Sequence, residues 1–93
     1  MFKVKMAMYG LYHGITNLRE VELDLPEGAG MAEVVAQMRL KIPALEGPVI
    51  RQGENRLVEL YKFNINGQFY FDGMDFKLAP GDRIALLVPA TGG

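Results

Sequence analysis

The 93-residue sequence contains no cysteine and a single histidine. The first absence excludes a disulfide framework, a thiolate metal centre and a cysteine nucleophile. The second leaves a zinc site short of ligands and would rest any histidine-assisted nucleophile on His13 alone. His13 lies in Tyr12-His13-Gly14, which reads as a turn between two strands. An excess of either charge is also missing: ten Lys and Arg stand against eleven Asp and Glu, a formal net charge of -1 with no run of like charges. That balance offers no footprint for nucleic acid or an anionic membrane. No apolar stretch approaches the ~20 residues needed to span a bilayer. The amino end, with Lys3 and Lys5 inside an alternating pattern, does not read as a signal peptide. The expectation is a cytoplasmic protein without a membrane span.

What is present is ordinary globular composition, 49% hydrophobic and 23% charged, enough for one small domain. Phe2, Val4, Met6 and Met8 alternate with Lys3, Lys5, Ala7 and Tyr9, the period of a half-buried strand. Val21, Leu23 and Leu25 alternate with Glu20, Glu22 and Asp24 in a second strand, so the three carboxylates share one solvated face rather than forming an acid-base pair. Met31, Val34, Val35 and Met38 fall at i, i+3, i+4 and i+7, which predicts a helix over 31–41 that Pro43 stops. Glu33 near its start and Arg39 and Lys41 near its end suit the helix dipole. Gly28-Ala29-Gly30 lacks the spacing of a phosphate loop and reads as a strand-to-helix turn.

The connection 44–56, with Gly47, Pro48 and Gly53, is long for a small domain and is expected to be mobile. Arg51 and Arg56 within it could hold an anion, or stand simply solvated. A strand-like stretch covers 57–65, Asn66-Gly67 marks a hairpin, and 68–71 forms its return strand. Phe76 and Leu78 are further core anchors. Ile84 to Val88 is apolar at every position, as expected of a central strand covered on both faces. The fold class is therefore α+β, a mixed sheet of four to five strands packed on one main helix, with first and last strands as parallel neighbours. This is the β-grasp, ubiquitin-like arrangement.

The sequence ends Val88-Pro89-Ala90-Thr91-Gly92-Gly93. Glycine has no Cβ, so Gly92 and Gly93 can thread a channel too narrow for side chains, and Pro89 biases Val88 towards extended backbone. The division expected is a β-grasp domain at 1–88 and a flexible tail at 89–93. Two terminal glycines also fit simple fraying.

With Asn66-Gly67 in a hairpin, Leu78 before Pro80-Gly81-Asp82, and an apolar strand running into Pro89 and the Gly92-Gly93 pair, the chain resembles the ubiquitin-like sulfur carriers. It looks most like the small subunit of molybdopterin synthase, in the group that includes ThiS. Pro43 and Leu45 resemble that family's middle section. The resemblance implies a carrier rather than an enzyme: a ubiquitin-activating-type enzyme adenylates Gly93 using ATP, and a sulfur donor, a sulfurtransferase or cysteine desulfurase, converts it to a thiocarboxylate. The synthase large subunit then receives the sulfur for molybdenum or tungsten cofactor assembly. Gly93 would be the reacting group, Gly92 its neck, and Leu87, Pro89, Ala90 and Thr91 the approach. No metal and no bound cofactor are implied. The spacing of Pro89 favours the molybdopterin branch over the thiamine carrier, while tRNA-thiolation carriers share it.

A protein modifier that joins its tail to lysines uses the same activation, and an interaction module with an incidental tail is a third possibility. A docking surface is expected in each case. Phe69, Tyr70 and Phe71 sit in a short hairpin where not all three rings can face the core, so part of this cluster is a candidate exposed apolar patch.

Overall fold

The computed structural model describes residues 1–9, 18–59, 61–71 and 73–87. The turn carrying His13 and the segment 88–93, with Pro89, Ala90, Thr91, Gly92 and Gly93, lie outside the described residues.

The two alternating segments at the amino end form β1 (Phe2–Tyr9) and β2 (Glu20–Leu25), antiparallel with Phe2 opposite Leu25 and Ala7 opposite Glu20. The helix α1 spans Met31–Lys41 and buries Met31, Val34, Val35 and Met38, the stripe its spacing predicts. Ile42 closes it by donating to the Met38 carbonyl at 2.8 Å, and Pro43 opens a 3-10 turn, Pro43–Leu45. Then come β3 (Lys62–Ile65), β4 (Gln68–Phe71) and β5 (Ile84–Leu87). The sheet order is β2-β1-β5-β3-β4, with β1 and β5 parallel and the other pairs antiparallel. This is the mixed β-grasp sheet, and β5 is its central strand. Among the described residues no helix is long and apolar enough to cross a membrane.

Asn66 and Gly67 have φ of 53° and 93°, the two left-handed positions of a tight hairpin turn, so β3 and β4 are joined by the minimum chain. The strand-like stretch 57–65 shortens to β3 alone. Leu57 is instead a buried anchor bridged to Ile50, and it serves the preceding connection rather than the sheet.

That connection is built rather than loose. Leu45, Val49, Ile50 and Leu57 are fully buried in the same core cluster as the helix stripe and Phe63. Arg39, on the helix, spreads its guanidinium over the connection: Nη1 donates to Asn55 Oδ1 at 2.6 Å and Nη2 to the carbonyls of Arg51 and Glu54. Its Nε faces Glu46 Oε2 at 3.2 Å, and Glu46 in turn accepts the Gly53 N–H at 3.0 Å. The planar fork reaches several acceptors at once, which a lysine ammonium cannot do.

The start of α1 is held from a distance. Gly30, the residue before the helix, has no side chain to cap it, and its N–H donates to Glu33 Oε1 at 2.7 Å. Asp75, 44 residues away, supplies the missing acceptor: its Oδ1 takes the Met31 N–H at 2.9 Å and the Phe76 N–H at 2.8 Å. Glycine is required at 30 by this approach, since a Cβ there would lie 2.6 Å from Asp75 Oδ1 and 3.0 Å from the Phe76 carbonyl.

The donors from Met31, then Phe76, hold the Asp75 carboxyl below its ordinary value. A carboxyl with a folded pKa below its unfolded one contributes stability in full above the unfolded value, near 4, and loses it as pH falls through the folded value. Asp75→Asn should therefore lower Tm at neutral pH and remove part of the acid-induced loss of stability, read by thermal melts across acidic pH. Gly30→Ala should destabilise by about 1–3 kcal/mol through overpacking, read by urea denaturation. Arg39→Lys should keep the fold but speed amide exchange over 51–57, whereas unchanged exchange there would show that the guanidinium does not hold the connection.

Candidate functional site

The core lies on one face of the sheet only. Val4, Met6 and Met8 of β1, Phe63 and Ile65 of β3, and Ile84 and Leu86 of β5 point to the helix side and are buried. Because side chains alternate, Lys3, Lys5, Ala7, Tyr9, Lys62, Asn64, Ala85 and Leu87 belong to the opposite, outer face. Ala85 and Leu87 are half-buried. The unbroken apolar run in β5 thus reflects one packed face and one partly open face, not cover on both sides. The reading of double cover is corrected: pattern alone does not separate a central strand under two layers from one whose second face is kept apolar without a layer above it.

Registers align the outer face in rows. Tyr9 pairs with Leu87, Leu87 with Lys62 and Lys62 with Phe71. The next row is Ala7, Ala85, Asn64 and Phe69. Tyr9, Phe69 and Phe71 are 60%, 46% and 48% exposed, and Met74 at the β4 edge is 43% exposed. Lys62 extends its Nζ over both outer rings, 5.5 Å from the centroid of Phe69 and 5.8 Å from that of Phe71. The Phe71 N–H points at Met74 Sδ, 3.5 Å away. These side chains form an amphipathic patch at the carboxy end of β5, where the chain passes into 88–93.

The aromatic triplet of β4 divides as its alternation requires. Phe69 and Phe71 face outwards, while Tyr70 is half-buried and packs edge-on against Phe76 at 5.3 Å. Tyr70 therefore belongs with the core, and of the four candidate docking residues Phe69, Phe71 and Leu87 share the open face. Tyr9, Lys62 and Met74 were not singled out from the sequence. Tyr9 carries the parity of Lys3 and Lys5, a signal that it faces outwards, but only the strand order shows that it stands beside Leu87.

Below this patch the outer face forms an open groove of about 740 Å³ whose lining includes Lys3, Lys5, Tyr9, Asn64, Asp82 and Arg83. Among the described residues, the carboxyl groups held below their ordinary values are each committed to structure. Asp75 caps the helix. Glu46 is lowered first by the Gly53 N–H and then by Arg39. Asp82 is lowered by the Ala79 N–H and by Asn66, and it fixes the turn into β5. Perturbed groups often mark chemistry, but here hydrogen bonds within the scaffold account for all of them. Glu22 and Asp24, by contrast, are engaged by Lys3 at 3.7 Å and Lys41 at 3.2 Å.

A sheet of this order, with an open amphipathic face, agrees with the family comparison. The ThiS family model matches residues 8–93. The chain belongs to the ThiS family. It is accordingly a ubiquitin-like β-grasp protein of the sulfur-carrier class. Among curated proteins none matches.

The crystal structure of SAMP1 from Haloferax volcanii is similar over 99% of this chain and 100% of its own, with 23% identity and a TM-score of 0.79. The solution structure of small archaeal modifier protein 1 from Methanosarcina acetivorans is similar over 98% of this chain and 96% of its own, with 22% identity and a TM-score of 0.70. The Haloferax volcanii HVO 2177 protein, at 17% identity and a TM-score of 0.71, covers 98% of this ThiS-family chain and 86% of its own. These likenesses support the fold.

Proposed function

We propose that the protein is a sulfur carrier whose Gly93 carboxylate is adenylated by a ubiquitin-activating-type enzyme and converted to a thiocarboxylate. The observation that carries this reading is the family match, which runs through Gly92 and Gly93 on a β-grasp body. In the first step the carboxylate attacks the α-phosphorus of ATP and pyrophosphate leaves. The acyl-adenylate gives the carbonyl carbon a leaving group, and a sulfur donor then displaces AMP. The body needs to supply no base or metal for this, because ATP and the catalytic groups belong to the partner enzyme. Residues 89–93 act as the threading segment, with Gly92 and Gly93 narrow enough to enter the partner's channel.

The acceptor assigned is the large subunit of a molybdopterin synthase, which Pro89 favours. Thiamine and tRNA thiolation use the same carrier chemistry. A second reading, conjugation to target lysines, is favoured by the likeness to small archaeal modifier protein 1. Intact mass after incubation with ATP, the cognate activating enzyme and a sulfur donor should rise by roughly 16 Da, one oxygen exchanged for sulfur, and deletion of Gly93 should abolish the gain. Lysine-linked adducts without a cofactor defect on deletion of the gene would select the modifier instead.

Docking is assigned to the patch of Tyr9, Phe69, Phe71 and Leu87. Burial of aromatic anchors with an amphipathic rim is the usual energetic centre of such an interface. Phe71→Asp should weaken binding to the activating enzyme about tenfold or more with Tm nearly unchanged, because the ring is half exposed. Unchanged affinity measured by calorimetry would remove this patch from the interface.

A further inference from the structure

The outer face has two ends of different chemistry. Tyr9, Leu87, Phe69 and Phe71 lie at the end nearest 88–93, and Lys3, Lys5 and Arg83 line the groove towards the other. Lys5 and Arg83 each precede by one residue the paired Met6 and Ile84 on neighbouring parallel strands, so the two cations stand side by side. Both are exposed. Neither has an ion-pair partner among the described residues. Of the nearby carboxylates, Glu22 stands opposite Lys5 in the β1–β2 register and meets Lys3 at 3.7 Å, and Glu20 lies one pair further along, opposite Ala7. Asp82 binds the Asn66 amide through Oδ1 and the Ala79 N–H through Oδ2. Asn66 in turn accepts the Arg83 N–H at 2.9 Å, which fixes the backbone from which the Arg83 side chain projects.

Adjacent like charges on neighbouring strands repel, and Glu22, opposite Lys5 but bridged to Lys3, offsets only part of that repulsion. An arriving carboxylate would relieve that repulsion, and a concave surface strengthens the local potential it meets. From this charge arrangement we infer that the Lys5–Arg83 groove receives an acidic loop of the adenylating enzyme, steering the carrier into register before the apolar patch closes. The inference rests on the carrier reading and names the partner chemistry at the basic end of the outer face, which adjoins the apolar patch at Tyr9. It assigns on-rate and orientation to the groove and residence time to the patch.

The test is stopped-flow association of the full chain with the adenylating enzyme of the same organism, from about 0.01 M to about 0.15 M salt, where the screening length falls from about 30 Å to about 8 Å. Association of the unaltered protein should slow about tenfold or more across that range. The double variant Lys5→Glu/Arg83→Glu should associate about tenfold or more slowly at low salt, and its rate should become nearly salt-independent. Its dissociation rate and its adenylation at saturating enzyme should stay within about twofold of the original. Lys5→Gln/Arg83→Gln, which removes the charges without adding new ones, should give an intermediate rate. Lys77→Glu, an exposed charge outside the groove lining, should leave the rate unchanged.

Salt-independent association of an adenylated chain would overturn the groove assignment while leaving the carrier reading intact. Inorganic phosphate shifting the Lys5 and Arg83 amide resonances, with no effect of charge reversal on association, would overturn it in favour of a small-anion site. Failure of the unaltered chain to be adenylated would overturn the carrier reading itself.

Discussion

One helix cannot cover two faces of a sheet, and most of this structure follows from that. An eleven-residue helix is about 16 Å long, while five strands span about 19 Å between the outermost axes. α1 packs against β2, and its four buried positions do not by themselves close the core. Leu45, Val49, Ile50 and Leu57 of the following connection complete the cover, which is why that connection is long and why its polar backbone is tied down by Arg39. With both covering segments spent on one face, the other stays open. Apolar side chains on that open face, half-buried at Leu87 and exposed at Phe69 and Phe71, gain the rest of their burial only when something docks.

The parallel pairing of β1 with β5 gives the open face its direction. β5 is hydrogen-bonded on both sides, to β1 and β3, so Leu87 is held between Tyr9 and Lys62. A segment leaving such a strand has a fixed base, whatever conformation it then adopts. The proposed transfer chemistry makes use of this: positioning one acyl carbon within an enzyme channel loses less entropy when the docking patch and the root of the segment are parts of one rigid element. Lys62 holds its ammonium over the faces of Phe69 and Phe71, an arrangement that sets a charge against apolar surface before docking.

Local signals in the sequence were strong where a single chain segment decides its own structure. The i, i+3, i+4 spacing located α1 at its observed bounds, and Asn66-Gly67 located the hairpin because few residue pairs tolerate two left-handed positions. Signals that depend on distant partners were not legible. Asp75 caps a helix 44 residues earlier, and Gly30 is needed because of that carboxylate rather than because of its own φ of -109°. Arg39 suited the helix dipole, yet its larger role depends on carbonyls of a connection whose path no periodicity encodes. The ambiguity of β5 has a similar origin: Ala85 and Leu87 look like core residues in one dimension, and only the one-sided placement of the helix makes them surface. Of the candidate site, the sequence marked Phe69, Phe71 and Leu87. The basic groove escaped notice because Lys5 and Arg83 are 78 positions apart and meet only through the parallel register.

That separation bears on how the two ends of the outer face are maintained. The aromatic end depends on the β3–β4 hairpin, whereas the basic end depends on β1 and β5 lying in one register. A one-residue slip of β1 against β5 would turn Lys5 and Tyr9 inwards together and expose Met6 and Met8, at the cost of the core. The residues that bury the helix face therefore also determine which charges meet on the opposite face. Met6 and Ile84, paired and buried, hold Lys5 beside Arg83 without touching whatever approaches them. The core side of a single-layered sheet in this way sets the address presented by its open side.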